Sequence, residues 1–249
     1  MGLLIGDHIT PALDEMPIWD GSKFVLTPHG SAEDAHPAQL LAYLMRAANV
    51  ACIPTNAGWS STLVGTGGVQ YWPSFMYLFS GVNANSSSLQ TARLLGFCQG
   101  AVTTLGITWD QKLLFVFEIS RENTDAESTI RFQIKAANAL GQLADKGIGL
   151  QVDNMALHGE SYGVARGDVD LGEVLVSDRS RQVAIFHDPD TPKIDFYVDG
   201  VLEGTQSTAN NMPTGTSNTV FIVISVSNGV TGTVNNIVYG MFPKVWQGR

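Results

Sequence analysis

The chain has 249 residues, 44% of them hydrophobic, enough to bury a core as one large all-β domain or as one domain with an extension. Fourteen Lys and Arg against 23 Asp and Glu leave a formal charge of −9, a field that repels phosphate backbones and anionic membrane surfaces, so no nucleic-acid partner is expected. No apolar run reaches the roughly 18 residues of a membrane-spanning helix. Met1–Gly6 meets Asp7, His8 and Pro11 too soon to form a signal-peptide core, so a soluble protein made in a cytoplasm is predicted. Cys52 and Cys98 are too few for a disulfide framework and are expected as buried thiols.

Residues 1–65 are expected to form an extension. They carry Pro11, Pro17, Pro28, Pro37 and Pro54 and little strand alternation. Leu3, Leu4, Ile5, Met16, Ile18 and Trp19 make this an apolar arm, suited either to docking on partner subunits or to packing along the body of its own chain. Ser31 is a candidate N-cap with acidic residues in the following turn, and Leu40, Leu41, Leu44, Ala47 and Ala48 follow at helical spacing. One amphipathic helix over about 37–48 is predicted. The Ser, Thr and Gly of 60–68 mark a flexible passage into the second region, 66–249.

From Val69 onward, strands separated by turn signals follow at short intervals, the pattern of a β-sandwich or barrel. Phe115, Phe117 and Ile119 share one face. Ile130, Phe132 and Ile134 share another, opposite Arg131, Gln133 and Lys135, so one side of that strand is wet. Val220–Val226 is apolar on both faces and is expected to be a central strand. Over 181–208, Ile194, Phe196 and Val198 alternate with Asp195, Tyr197 and Asp199. Asp199-Gly200 supplies the two residues that a type I′ turn requires, and Asp188-Pro-Asp-Thr-Pro192 makes a second turn.

The order of strand, Asp-Pro-Asp-Thr-Pro turn, Ile194–Gly200 and Val201–Thr205 resembles the concanavalin A-like jelly roll of laminin-G-like, pentraxin-like and legume-lectin-like domains. The resemblance covers about 66–249 and implies an all-β antiparallel sandwich preceded by the extended arm and its short helix. Phe75–Gly81, Leu114–Glu118 and Thr129–Lys135 look like the first strands of such domains in bacteriophage and other virion surface proteins. This implies a non-enzymatic structural and recognition role in a virion surface or capsid-decoration protein, an oligomer docked through its arm. The alternatives are a lectin-like carbohydrate-binding protein and a glycoside hydrolase or lyase.

Hydrolases of this fold carry paired carboxylates in a Glu-x-Asp-x-x-Glu strand, which Asp168-Val-Asp170-Leu-Gly-Glu173 approaches. Asp in place of the nucleophilic Glu shortens the reach, and Gly163, Gly167 and Gly172 give the stretch the character of a solvated acidic loop, so no catalytic residue is expected. Asp188 and Asp190, with Asp153, Asp168 and Asp170, are hard oxygen ligands that Ca2+ would accept, although Asp and Pro also serve a hairpin turn's own backbone. No other cofactor is implied. His8, His29, His36, His158 and His187 lack metal-ligand spacing and read as surface or capping residues. Trp59, Trp72 and Trp109 are the ligand-stacking candidates; Trp59 is expected in a turn open to solvent, whereas Trp72 and Trp109 are equally able to plug strand ends.

Overall fold

A computed structural model describes residues 15–19, 24–28, 49–51, 59–71, 75–81, 87–93, 96–98, 101–103, 107–121, 129–136, 140–176, 180–217, 220–229 and 237–247. In chain order the strands begin β1 (Glu15–Trp19), β2 (Phe24–Pro28), β3 (Asn49–Ala51), β4 (Trp59–Val64), β5 (Gly68–Tyr71), β6 (Phe75–Phe79) and β7 (Ser87–Arg93). They continue as β8 (Gly96–Cys98), β9 (Ala101–Thr103), β10 (Ile107–Thr108), β11 (Leu113–Arg121), β12 (Thr129–Lys135), β13 (Gly147–Asp153) and β14 (Ala156–Tyr162). The remainder are β15 (Arg166–Val174), β16 (Arg181–Asp188), β17 (Lys193–Val198), β18 (Val201–Gln206), β19 (Thr216–Ser217), β20 (Phe221–Ser227) and β21 (Ile237–Gln247).

Two antiparallel sheets dominate. One is eight-stranded, in the order β18-β17-β16-β11-β21-β6-β5 with β3 also on β21. The other is seven-stranded, β15-β14-β13-β12-β20-β7-β4. The long strand β21 pairs with β11 along one edge, and with β6 and then β3 along the other. The sequence places strand β4 in the flexible passage, yet it pairs with β7 through residues 59–64. The helix expected over 37–48 lies outside the described residues, as do Leu3, Leu4 and Ile5. Ile18 and Trp19 belong to β1, which with β2 forms a two-stranded sheet of its own rather than the strand-free arm expected.

Period-2 alternation explains where the core sits. Phe115, Phe117 and Ile119 of β11 and Val183 and Ile185 of β16 point inward from the larger sheet; Ile130, Phe132 and Ile134, then Ile148, Leu150 and Val152, point inward from the smaller. The Phe117 and Phe132 rings stack across the interior with centroids 4.6 Å apart and planes 3° apart. Strand β20 is buried along its middle and lies between β12 and β7, the central place its two-sided apolar pattern requires.

The 181–208 ladder forms in register: β16 on β17, and β17 on β18, with Asp199 at φ 49° and Gly200 at φ 86° in the tight turn. Trp109 is completely enclosed and donates its indole N–H to Ser217 Oγ at 2.8 Å. A ligand has no indole face to stack on there, so this candidate is a packing residue. His187 is likewise a core residue and not the surface or capping residue expected. It is 1% exposed, continues the inward face of β16 and meets the edge of the Trp109 ring.

Candidate functional site

The outward side of the smaller sheet carries three polar rows that the strand registers define. The first runs Phe221, Lys135, Gly147, Tyr162, Arg166; the second Val223, Gln133, Gly149, Glu160, Asp168; the third Ser225, Arg131, Gln151, His158, Asp170. Each row crosses β20, β12, β13, β14 and β15 in turn. Lys135, Gln133, Glu160 and Val223 are enclosed, while Arg131, His158, Tyr162 and Arg166 are half-buried and Asp168 and Asp170 exposed. The open part is therefore the β14–β15 flank together with Arg131.

A chain of polar contacts links the enclosed centre to this flank. Gln133 Nε2 donates to Glu160 Oε2 at 2.7 Å. Arg166 Nη2 donates to both Glu160 Oε1 and Asp168 Oδ2 at 2.9 Å, and Asp168 Oδ1 lies 3.3 Å from His158 Nδ1. Gln133 and Glu160 sit on strands separated by β13, about 9–10 Å apart at the usual strand spacing. Gly149 lies between them in the row. A Cβ there would come within 2.6 Å of the Phe132 carbonyl oxygen and 2.8 Å of Gln133 Cγ, so only glycine lets the glutamine cross to the carboxylate. The Glu160 carboxylate is thereby enclosed with two donors, one of them the positive Arg166, the condition for keeping a charge out of water.

In the third row Arg131 donates through Nε at 3.2 Å and Nη2 at 3.0 Å to the single atom Gln151 Oε1. Burial is the largest influence on this guanidinium and lowers its pKa, with nearby Glu160 acting in the opposite sense. In the first row Lys135 Nζ donates to the Gly141 carbonyl oxygen at 3.2 Å. Burial again leads, and its pKa falls to about 8.

The acidic motif does not form the expected loop. Residues 166–174 are the edge strand β15, and Asp168 and Asp170 share its outward face. Gly172, at φ +65°, then interrupts the alternation, with its N–H bonded to Asp170 Oδ1. Beyond it, Glu173 forms an ion pair with Arg181 of β16 in the other sheet. The third carboxylate of the motif is thus engaged with the opposite layer rather than set beside Asp168 and Asp170.

The Asp188-Pro-Asp190 turn is similarly self-satisfied. Asp188 Oδ1 accepts from the Asp190 N–H at 3.1 Å and Oδ2 from Thr191 Oγ1 at 2.8 Å, while Lys112 Nζ lies 3.7 Å from Asp188 Oδ1 and 3.2 Å from Asp190 Oδ2. An ammonium stands where Ca2+ would bind, so the pair does not fit the ion. Among the described residues no group of three His, Cys, Asp or Glu is placed to hold a metal. Trp72 and the side chain of Trp59 lie outside the described residues.

No protein-family model and no curated sequence matches the chain. Solved structures do. A sialidase is 10% identical with a TM-score of 0.55 over 80% of this chain and 18% of its own. The carbohydrate recognition domain of Emp47p is 14% identical at 0.52, over 80% and 91%. A Shewanella oneidensis protein of unknown function is 12% identical at 0.51, over 89% and 97%. Peanut lectin, at 0.50 and 14% identity, covers 79% and 94%. The chain has the concanavalin A-like jelly-roll fold.

Within this jelly roll, the polar rows occupy the outer face of the seven-stranded sheet. The sequence shows half of the pattern, because Arg131, Gln133 and Lys135 alternate with Ile130, Phe132 and Ile134. Glu160 and Arg166 escape it: their strands are short of β-branched residues, and the contacts that unite them depend on the register of three ladders. The signal that finds them is the outward parity of His158, Glu160 and Tyr162 against Leu157, Gly159 and Ser161. No helix among the described residues is long and apolar enough to cross a membrane.

Proposed function

We propose that this protein binds saccharides, without turning them over, at the β14–β15 flank of the seven-stranded sheet. The observation that supports this reading is the contact chain from Gln133 through Glu160, Arg166 and Asp168 to His158. It fixes polar groups in place before a ligand arrives and leaves its outer members accessible, Asp168 with 42% and His158 with 26% of the side chain exposed. Preset donors and acceptors beside an aromatic face, here the half-buried Tyr162, are what orient a hydroxyl-rich ring. The carbohydrate recognition domain and the lectin among the structural neighbours favour the same class of ligand. For catalysis, the diverted Glu173 leaves the acidic motif without its third carboxylate on the outer face.

The test is a glycan array followed by titration of each hit. His158→Ala is expected to weaken binding about tenfold, a loss of ~1.4 kcal/mol. An array with no hits defeats the proposal, and release of new reducing ends from a bound glycan defeats its non-catalytic part.

A second reading is a virion surface or capsid-decoration protein that docks on partner subunits through its arm. It is favoured by the β1–β2 hairpin, which among the described residues shares no ladder with either large sheet. Deleting residues 1–30 and weighing the particle in solution by light scattering is expected to dissociate an oligomer. An unchanged mass and an unchanged set of partners count against docking.

A further inference from the structure

We propose that the saccharide taken by this face bears a carboxylate, received by Arg131 and the side-chain amide of Gln151. The inference rests on the saccharide-binding reading and deepens it to a substrate class. The acidic side chains of the three rows already have partners: Glu160 and Asp168 share Arg166, and Asp170 caps the Gly172 N–H. Arg131 is ion-paired with none of them and senses Glu160 and Asp153 only as nearby charges. Its Nε and Nη2 both point at one neutral oxygen, and among the described residues it makes no ion pair. A half-buried guanidinium normally pairs with an anion, since leaving its charge uncompensated is unfavourable.

Two N–H groups directed at one atom require that atom to be oxygen, which fixes the orientation of the Gln151 amide. The Gln151 side chain is largely covered, with the residue 6% exposed, and its NH2 is then left as a donor with no acceptor for it among the described residues. Arg131 also keeps its Nη1 hydrogens. Adjacent positions of one row thus present two donor groups, and His158 follows them in register with its Nδ1 held near Asp168. Donors placed side by side in this way suit the two oxygens of a planar carboxylate better than a lone hydroxyl. The net charge of −9 opposes anions at long range, so the recognition is local and is expected to survive screening by salt.

The experiment is calorimetric titration of the full chain with tetramers of galacturonate, glucuronate and mannuronate, and with the carboxyl-reduced neutral form of each. At least one acidic tetramer is expected to bind about tenfold more tightly than its own reduced form. In Arg131→Gln that preference should vanish. Gln151→Glu should remove it too, because it places a carboxylate against Arg131 within the intact ladder and deletes the amide donor. Thermal melting of both variants confirms that they are folded. Reduced tetramers that bind as well as the acidic ones overturn the inference while the saccharide reading stands. Absence of binding by any tetramer, with only neutral glycans bound on the array, overturns it as well. A blank array removes both.

Discussion

Replacing Phe132 by Ala is expected to lower the free energy of unfolding by about 3–5 kcal/mol, the range for emptying a large aromatic site in a close-packed interior. The ring has no exposed surface and stands on β12, near the middle of the smaller sheet. It lies parallel to Phe117 at 4.6 Å, and Phe117 in turn meets Phe115 at 4.8 Å, so one truncation strips a contact from a row of three rings that joins the layers. Aromatic pairing adds roughly 0.5–1.5 kcal/mol beyond area burial, which places Phe132 in the upper part of the range. Neighbouring strands are laddered on both sides of β12, so the backbone has little freedom to collapse into the gap. Urea denaturation followed by tryptophan fluorescence measures the change as a shifted midpoint at constant slope. Val176→Ala, at a side chain 41% exposed, is the control and should fall within about 0.5 kcal/mol of the parent. A loss below about 1 kcal/mol for Phe132→Ala would mean that the two sheets do not meet through this ring.

The residues that build this interior are legible in the sequence because strand parity is a local property. Phe115, Phe117 and Ile119 declare one face of β11, and Ile130, Phe132 and Ile134 one face of β12, without any knowledge of what they pack against. The Asp199-Gly200 turn is equally local, since positive φ at both positions depends on those two residues and the strands beside them. What parity cannot supply is the partner of each strand. Strand β4 reads WSSTLV, with Ser and Thr where an apolar face would advertise a strand, and it becomes one through its pairing with β7. The bulge at Gly172 has the same origin. The glycine is visible, but whether it opens a loop or kinks an edge strand depends on β14 being present to pair with Asp168 and Asp170.

The candidate site belongs to this second, non-local kind. Gln133 is a polar residue on a wet face, Gly149 a glycine in a strand and Glu160 a carboxylate of no stated motif; none is informative alone. Their meaning comes from two registers that bring positions 133, 149 and 160 into one line, where the missing Cβ of the second lets the first reach the third. Sequence motifs drew attention to Asp188, Asp190 and Glu173 instead. Those side chains engage Thr191, Lys112 and Arg181, respectively: the first two fix a turn and the end of one strand pair, and the third joins the two sheets. Carboxylates recruited to structure and carboxylates presented to solvent have the same letters, and only their partners separate them.

Between pH 6.5 and pH 4 the protein is expected to lose roughly 3 kcal/mol of stability through His187 alone, at about 1.4 kcal/mol for each pH step over which only the unfolded chain takes up the proton. Burial is the largest influence on this imidazole and depresses its pKa from 6.5 to about 4, against smaller upward pulls from a hydrogen bond with the Gln111 backbone and from Asp188 and Asp110. Above pH 6.5 both folded and unfolded chains hold the neutral ring, and His187 contributes no pH dependence. As the pH falls through 6.5 the unfolded chain binds a proton that the folded one refuses, so the equilibrium moves toward unfolding. Below about pH 4 the folded chain binds it too, and the dependence on this residue ends. The environment leaves the ring little scope to adapt: it is enclosed between β11 and β17, its Nδ1 has no partner among the described residues, and the Trp109 edge stands against it. Urea midpoints collected across this window measure the slope. His187→Gln retains a hydrogen-bonding group but cannot titrate there, so its stability should fall less steeply by about one proton between pH 6.5 and pH 4. Parallel pH profiles for the parent and the variant would show that the proton responsible for acid unfolding binds elsewhere. A shallower profile in the variant identifies the inward parity of β16, which carries Val183, Ile185 and then His187 into the core, as the source of the acid sensitivity.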